Sequence, residues 1–219
     1  IYRNLMGVES ETTARMGMGH SAEFGCALGL FFNRSDKDIV EHSTNHMVNQ
    51  FHGEWHDETD KVGSIAINLQ NAIKEHFPDF GVPNLFQRYR RHSLFNLEHP
   101  ITTVTDFEWE HMIVDTKATL AVPSKPRDDH VRQQSLYSVL IGKPATLVYA
   151  SHKKSAVFEL DEETVMRNYE TMINSFESLE LFMKTVPNIK TFKKMIPLNT
   201  DGFKWSEEDR KYAKENWNN

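Results

Sequence analysis

Two aspartates and a lysine stand close together in the run Thr105-Asp106-Phe107-Glu108-Trp109-Glu110-His111-Met112-Ile113-Val114-Asp115-Thr116-Lys117. Glu110-His111 reads as a tight turn, so Asp106 lies on one arm of a hairpin and Asp115 on the other. Side chains alternate along a strand. Asp115 and Lys117 therefore share a side, Thr116 faces away, and the hairpin can bring Asp106 across from them. Two carboxylates and one ammonium then converge. Hard oxygen ligands of this kind suit Mg²⁺ or Mn²⁺. Beside a phosphodiester, such an ion lowers the pKa of an attacking water and neutralises charge growing on phosphate. Lys117 is placed to orient that water or to stabilise the transition state, and nearby carboxylates keep it charged. The competing reading is a salt-bridge cluster on a hairpin surface.

A second pair follows on a helix. Gln133 and Tyr137 are four residues apart, so they lie on one helical face. Tyr can stack on a base or bond a phosphate, and Gln can contact a phosphate or hold a water. Basic residues gather around both motifs: Arg88, Arg90 and Arg91, then Lys125 and Arg127, then Lys153-Lys154, and further on Lys190 with Lys193-Lys194. The first three groups flank the carboxylates in sequence and offer a positive track for a DNA strand, with Phe86, Tyr89 and Trp109 as candidates for base stacking. His42/His46 and His52/His56 have zinc-like spacing, but a solvated helix face is the better reading of both pairs.

The elements that must position these residues can be read from periodicity and punctuation. Ser10 to Thr13 caps a helix running toward Phe32, whose Gly17, Gly19, Gly25 and Gly29 would let another backbone approach closely. Ser35-Asp36 caps a second, Lys37 to Phe51. A third runs from Val62 to Phe77 and is ended by Pro78, Gly81 and Pro83. Strands are expected at Arg88 to Leu97, at the β-branched run Ile101 to Trp109, and at Met112 to Asp115. After a polar loop, Pro123 to Asp129, Asp128 or Asp129 caps a helix from His130 to Ile141, closed by Gly142 and Pro144. Ala145 to Ala150 and Ala156 to Leu160 are further strands. Asp161 opens a long helix to Thr185, acidic and facing solvent or another subunit, and Ser206 to Trp217 forms a short tail helix. The fold class is α/β (α+β), one mixed sheet flanked by helices. A single domain over 1–219 is expected: a helical part to 85, a sheet core over 86–160, and C-terminal helices from 161.

Composition narrows the class. The chain has 219 residues, 39% hydrophobic and 26% charged, which excludes disorder and low complexity. No apolar run approaches the roughly 20 residues of a membrane helix, so no membrane partner is expected. The start, Ile1-Tyr2-Arg3-Asn4, has no leader pattern, and a chain opening without Met is expected to lack a few N-terminal residues. One cysteine, Cys26, excludes a disulfide framework and an iron–sulfur cluster held by the chain's own thiolates. A reducing cytoplasm is the default compartment. The net charge of −6 opposes a general polyanion binder without excluding a local basic groove.

Asp106, then Asp115-Thr116-Lys117, then Gln133 to Tyr137, on a hairpin followed by a helix, resembles the nuclease core of the PD-(D/E)XK superfamily. The Gln-x-x-x-Tyr element resembles its RecB-like branch, which includes phage exonucleases and the mitochondrial genome-maintenance exonuclease. The resemblance covers residues 88–159, with Thr105 where the superfamily often has Pro. It implies a restriction-endonuclease-like fold and a Mg²⁺- or Mn²⁺-dependent DNA exonuclease acting on single-stranded or free ends, in phage or bacterial recombination, repair or degradation. The compartment would then be the bacterial cytoplasm, and a homo-oligomer is open. It implies metal binding by Asp106, Asp115 and the Thr116 carbonyl, catalytic assistance by Lys117, and strand positioning by Gln133 and Tyr137. An upstream helical His completes the family's metal site. Gly17-Met18-Gly19-His20 is the nearest match, with Glu23 one turn later, and His46 and His56 are the alternatives. Rival functions are a structure-specific endonuclease on the same core and a non-catalytic DNA-binding protein.

Overall fold

Thr13 opens the first helix, its side chain accepting the Met16 N–H at 3.3 Å. This helix, α1 (Ala14–Phe32), ends at Asn33 in the left-handed conformation that Asn tolerates. Ser35 caps α2 (Asp36–Gln50) by accepting the Asp38 N–H at 3.2 Å. The third helix, α3 (Thr59–His76), stops ahead of Pro78. The structure is a computed structural model that describes residues 12–186, together with 188, 191, 210, 211 and 215. The expected tail helix lies outside these, apart from 210, 211 and 215, which are helical.

The chain divides into two compact units. The smaller comprises Ile1–Ser10 and Ser175–Asn219; its described part is chiefly the end of α5 (Glu162–Thr185). The larger, Glu11–Asn174, holds the sheet and α1 to α3. These three helices pack on one another around Met18, Ile39, Met47, Ile65 and Leu69. Gly25 is needed at their crossing: a methyl group there would strike Ser43 Oγ and come within 2.8 Å of Ala66 Cβ. Gly19 faces open space, so it does not share the close-packing role expected of the glycines.

The five strands are β1 (Leu85–His92), β2 (Ile101–Glu108), β3 (Ile113–Ala118), β4 (Ala145–Ala150) and β5 (Ser155–Glu159), in that spatial order. All neighbours are antiparallel except β3 and β4, which are parallel and joined across α4 (Asp128–Ile141). A parallel connection needs such a crossover. Every residue of β4 is buried, as a strand covered on both faces must be. Phe107, Val114, Val148 and Ala150 join the core of α1 to α3, whereas Leu147 and Tyr149 pack with Val131 of α4.

Several boundaries differ from the sequence expectation. β1 begins at Leu85 and ends at His92, because a turn closes beyond it, with the Leu97 N–H donating to the Leu94 carbonyl at 3.2 Å. β3 extends to Ala118 instead of ending at Asp115, drawn out by its pairing with β4. Arg127, not Asp128 or Asp129, is the N-cap of α4, and no side chain caps it. Both aspartates lie in its first turn, where the positive end of the helix dipole favours them.

One buried carboxylate ties the hairpin to its surroundings. Glu108 is 3% exposed. It receives Arg90 at 2.7 Å and Lys143 at 2.7 Å, and Lys143 also donates to the Trp109 carbonyl at 2.7 Å. Burial alone would raise the Glu108 pKa, but the bonds from Lys143 and Arg90 outweigh it and hold it below the usual carboxylate value. Glu108→Ala, which strands two half-buried cations, is expected to cost about 3 kcal/mol in urea denaturation. The folded-state pKa is depressed, so the stabilisation is complete above the unfolded value of 4.5 and is lost as pH falls below it. The Ala variant should show a correspondingly flatter loss of stability in that acid range.

Candidate active site

The β2–β3 ladder pairs only Phe107 with Val114 and Glu108 with Ile113. Beyond Phe107 the two strands part, and the Asp106 side chain takes over the bonding. Its Oδ2 accepts the Thr116 backbone N–H at 2.7 Å and the Thr116 hydroxyl at 3.0 Å. A carboxylate thus occupies a place where ladder bonding stops, and its orientation is fixed by two donors.

On β3, alternation places Asp115 and Lys117 together, with Nζ 2.6 Å from Asp115 Oδ2. Asp115 is 2% exposed. Lys117 Nζ also donates to Gln133 Oε1 at 3.4 Å, and Gln133 Nε2 reaches the Tyr137 hydroxyl at 3.3 Å. The chain Asp115–Lys117–Gln133–Tyr137 therefore runs from the sheet along one face of α4.

The third contribution comes from α1. His20 and Glu23, one helical turn apart, line the same cavity of about 510 Å³ as Asp106, Thr116 and Lys117. His20 is exposed at its rim. His46 does not line this cavity; it stacks on Phe24 at 4.6 Å and bonds Ser21 Oγ at 2.9 Å. His56 packs edge-on against Phe51, also away from the cavity.

The carboxylates repel one another. Burial, then the charges of Asp115 and Glu23, raise the Asp106 pKa well above its ordinary value, against the opposing pull of Lys117 and the Thr116 N–H. Burial pushes Glu23 up to about 7, with Asp115 adding and the Gln87 bond opposing. Burial disfavours charge on Lys117, but Asp115 and Asp106 outweigh it and raise its pKa. Two of three carboxylates are strained toward protonation even with an ammonium among them. The deficit is one of positive charge. Carboxylate oxygens with a histidine at the rim suit Mg²⁺ or Mn²⁺, so Asp106, Asp115 and Glu23 are the residues that could hold such an ion. Among the described residues no group of three or more His, Cys, Asp or Glu side chains is placed to hold a metal ion by itself, so water would have to complete the coordination. Mg²⁺ commonly retains several waters.

Three neighbours of the site are not identified by spacing. Gln87 sits in β1 at φ +48°, the left-handed region, and its amide donates to Glu23 Oε1 at 3.2 Å. Such backbone strain in a non-glycine residue persists only where surroundings enforce it. His130 and Tyr149 also line the cavity; the Tyr149 hydroxyl lies 2.6 Å from His130 Nδ1 and accepts the Arg127 N–H at 3.2 Å. Burial lowers the His130 pKa, with the Lys117 charge adding to the effect.

Of the basic residues expected to track DNA, Arg127 lines the cavity while paired with Asp129 at 2.8 Å. Arg88 and Arg91 are exposed on β1. Arg90 is engaged by Glu108, and Lys125 faces a separate cavity. Trp109 is 3% exposed and donates to the Gly81 carbonyl at 3.1 Å, so its ring is not presented for base stacking. Phe86 packs among Phe31 and Phe107, whereas Tyr89 is exposed.

A solved structure of a protein from Eubacterium rectale, provisionally named an exonuclease, superimposes with a TM-score of 0.58. The match covers 95% of this chain and 78% of that one at 12% identity. The two share a fold. The structure of SSO0001 aligns over 78% of this chain and 80% of its own at 16% identity, with a TM-score of 0.34, too low to bear on the fold. No protein-family profile matches the chain, and no curated protein does. No helix among the described residues is long and apolar enough to cross a membrane.

The burial and repulsion that act on Asp106 have a measurable consequence. Because the Asp106 pKa is raised on folding, its charge destabilises the fold increasingly as pH rises above the unfolded value of 3.8. Asp106→Asn keeps an oxygen for Thr116 and removes the charge. In the metal-free protein near pH 8 it is expected to raise the melting temperature above that of the unmutated protein, read by thermal denaturation. The gain should vanish as pH falls toward 4.

Proposed function

We propose that this protein is a Mg²⁺- or Mn²⁺-dependent deoxyribonuclease of the RecB-like PD-(D/E)XK type, an exonuclease acting on single-stranded DNA ends. The observation that carries this reading is the continuous bonded chain from Asp115 through Lys117 and Gln133 to Tyr137, set beside an Asp106 held by Thr116. A surface salt-bridge cluster does not explain why Glu23 and Asp106 line one cavity, next to Asp115, at a cost in their own ionisation. The fold shared with the Eubacterium rectale protein supports the same reading.

In this reaction water attacks phosphorus and the 3′ oxygen leaves, giving a 5′-phosphate. Asp106 and Asp115 would hold the ion, with Glu23 and His20 beside them and the Thr116 carbonyl as a further ligand. The bound ion lowers the pKa of the attacking water and neutralises phosphate charge. Lys117, kept protonated by its carboxylate neighbours, orients the water and donates to phosphate oxygen as charge grows there. Gln133 holds the Lys117 ammonium in place on one side and Tyr137 on the other. Tyr137 is largely buried, so it acts through Gln133.

End-labelled single-stranded DNA provides the test. Degradation is expected with Mg²⁺ or Mn²⁺, none with EDTA, and a loss of about 10²- to 10³-fold in kcat for Lys117→Ala. Absence of cleavage on single-stranded, duplex and flapped DNA with both metals would refute the proposal.

A further inference from the structure

The segment 123–132 separates two cavities. On one side Pro123, Arg127 and His130 line the carboxylate cavity. On the other, Lys125 and Arg132 line a second cavity of about 350 Å³, completed by Arg167 of α5. Asp128, Thr164 and Asn168 are its other polar walls. Those groups are partly spent on each other: the Thr164 hydroxyl donates to Asp161 at 2.8 Å, and Asn168 donates to the Thr164 carbonyl at 2.8 Å. The three cations are exposed, and none forms a salt bridge with a described carboxylate. Asp128 stands against three positive charges, and Asp161 is close enough to feel Arg167.

Three cations facing one carboxylate in a concavity attract anions, even in a protein whose net charge as a whole is −6. Arginine forks suit phosphate oxygens in particular. The site shares the 123–132 segment with the carboxylate cavity, so an extended polyanion leaving one can enter the other. We propose that Lys125, Arg132 and Arg167 form a second subsite that holds backbone phosphates of the same single strand, beyond the phosphate presented to Asp106 and Asp115. This deepens the nuclease reading and rests on it for the position of the cut.

Neutralising a phosphate-contacting cation flattens the salt dependence of single-strand binding by about 0.7 in log K against log salt. Binding of a labelled single-stranded oligonucleotide is measured in EDTA across a salt series. Arg132→Ala/Arg167→Ala, both surface changes checked by circular dichroism, should lower the slope by about 1.4. The control Arg34→Ala/Lys37→Ala, whose residues line neither cavity, should leave it unchanged. A slope equal to that of the unmutated protein, or a drop matched by the control, overturns the subsite. Lost affinity for inorganic phosphate with an unaltered DNA slope overturns it in favour of a small-anion site. Because no cutting occurs in EDTA, a protein that binds in this way yet never cleaves with metal refutes the nuclease reading and leaves the phosphate subsite standing.

Discussion

Like charges held together in a folded protein are the constraint on which this structure turns. Burial, with the negative charge of Asp115 adding to it, raises the pKa values of Glu23 and Asp106, and Lys117 offsets only part of the rise. The positions of these carboxylates must be enforced by the scaffold. Asp115 is enforced by β3, which is paired along its length with the fully buried β4. Asp106 is enforced by Thr116, and Glu23 by α1, which is locked against α2 and α3 where Gly25 admits their close approach. Strain of this kind at a concave site is the usual mark of function, because a fold gains nothing in stability from it.

The ion pair under the hairpin has the opposite character. Glu108 is also a buried carboxylate, two residues from Asp106, but Arg90 and Lys143 neutralise it and its pKa falls. The same strand therefore carries a charge-compensated carboxylate that holds structure and a poorly compensated one that faces a cavity. Charge compensation separates the two roles where burial does not.

Much of this arrangement is legible in the sequence, and physical periodicity says which parts. Strand alternation suffices to bring Asp115 and Lys117 together, and helical spacing to align Gln133 with Tyr137. The mixed sheet follows from β-branched runs, and the caps of α1 and α2 from Thr13 and Ser35. What local rules cannot supply is tertiary. Glu23 reaches the site because α1 crosses the sheet, and Gln87 because an enforced left-handed φ turns its backbone beside Asp106. The pairing of His130 with Tyr149 joins α4 to β4 across nineteen residues. Trp109 shows the converse: an aromatic beside the motif looks available for stacking, but the fold buries it against Gly81.

The most direct test is the effect of Mn²⁺ on thermal stability, without DNA, in the unmutated protein and in Asp106→Asn/Asp115→Asn. A divalent ion that relieves the carboxylate repulsion binds only the folded chain and stabilises it by mass action. The melting temperature of the unmutated protein should climb with Mn²⁺ concentration, and that of the double variant should not. A melting temperature indifferent to Mn²⁺ in both proteins, or raised equally in both, would contradict a metal site built on Asp106 and Asp115.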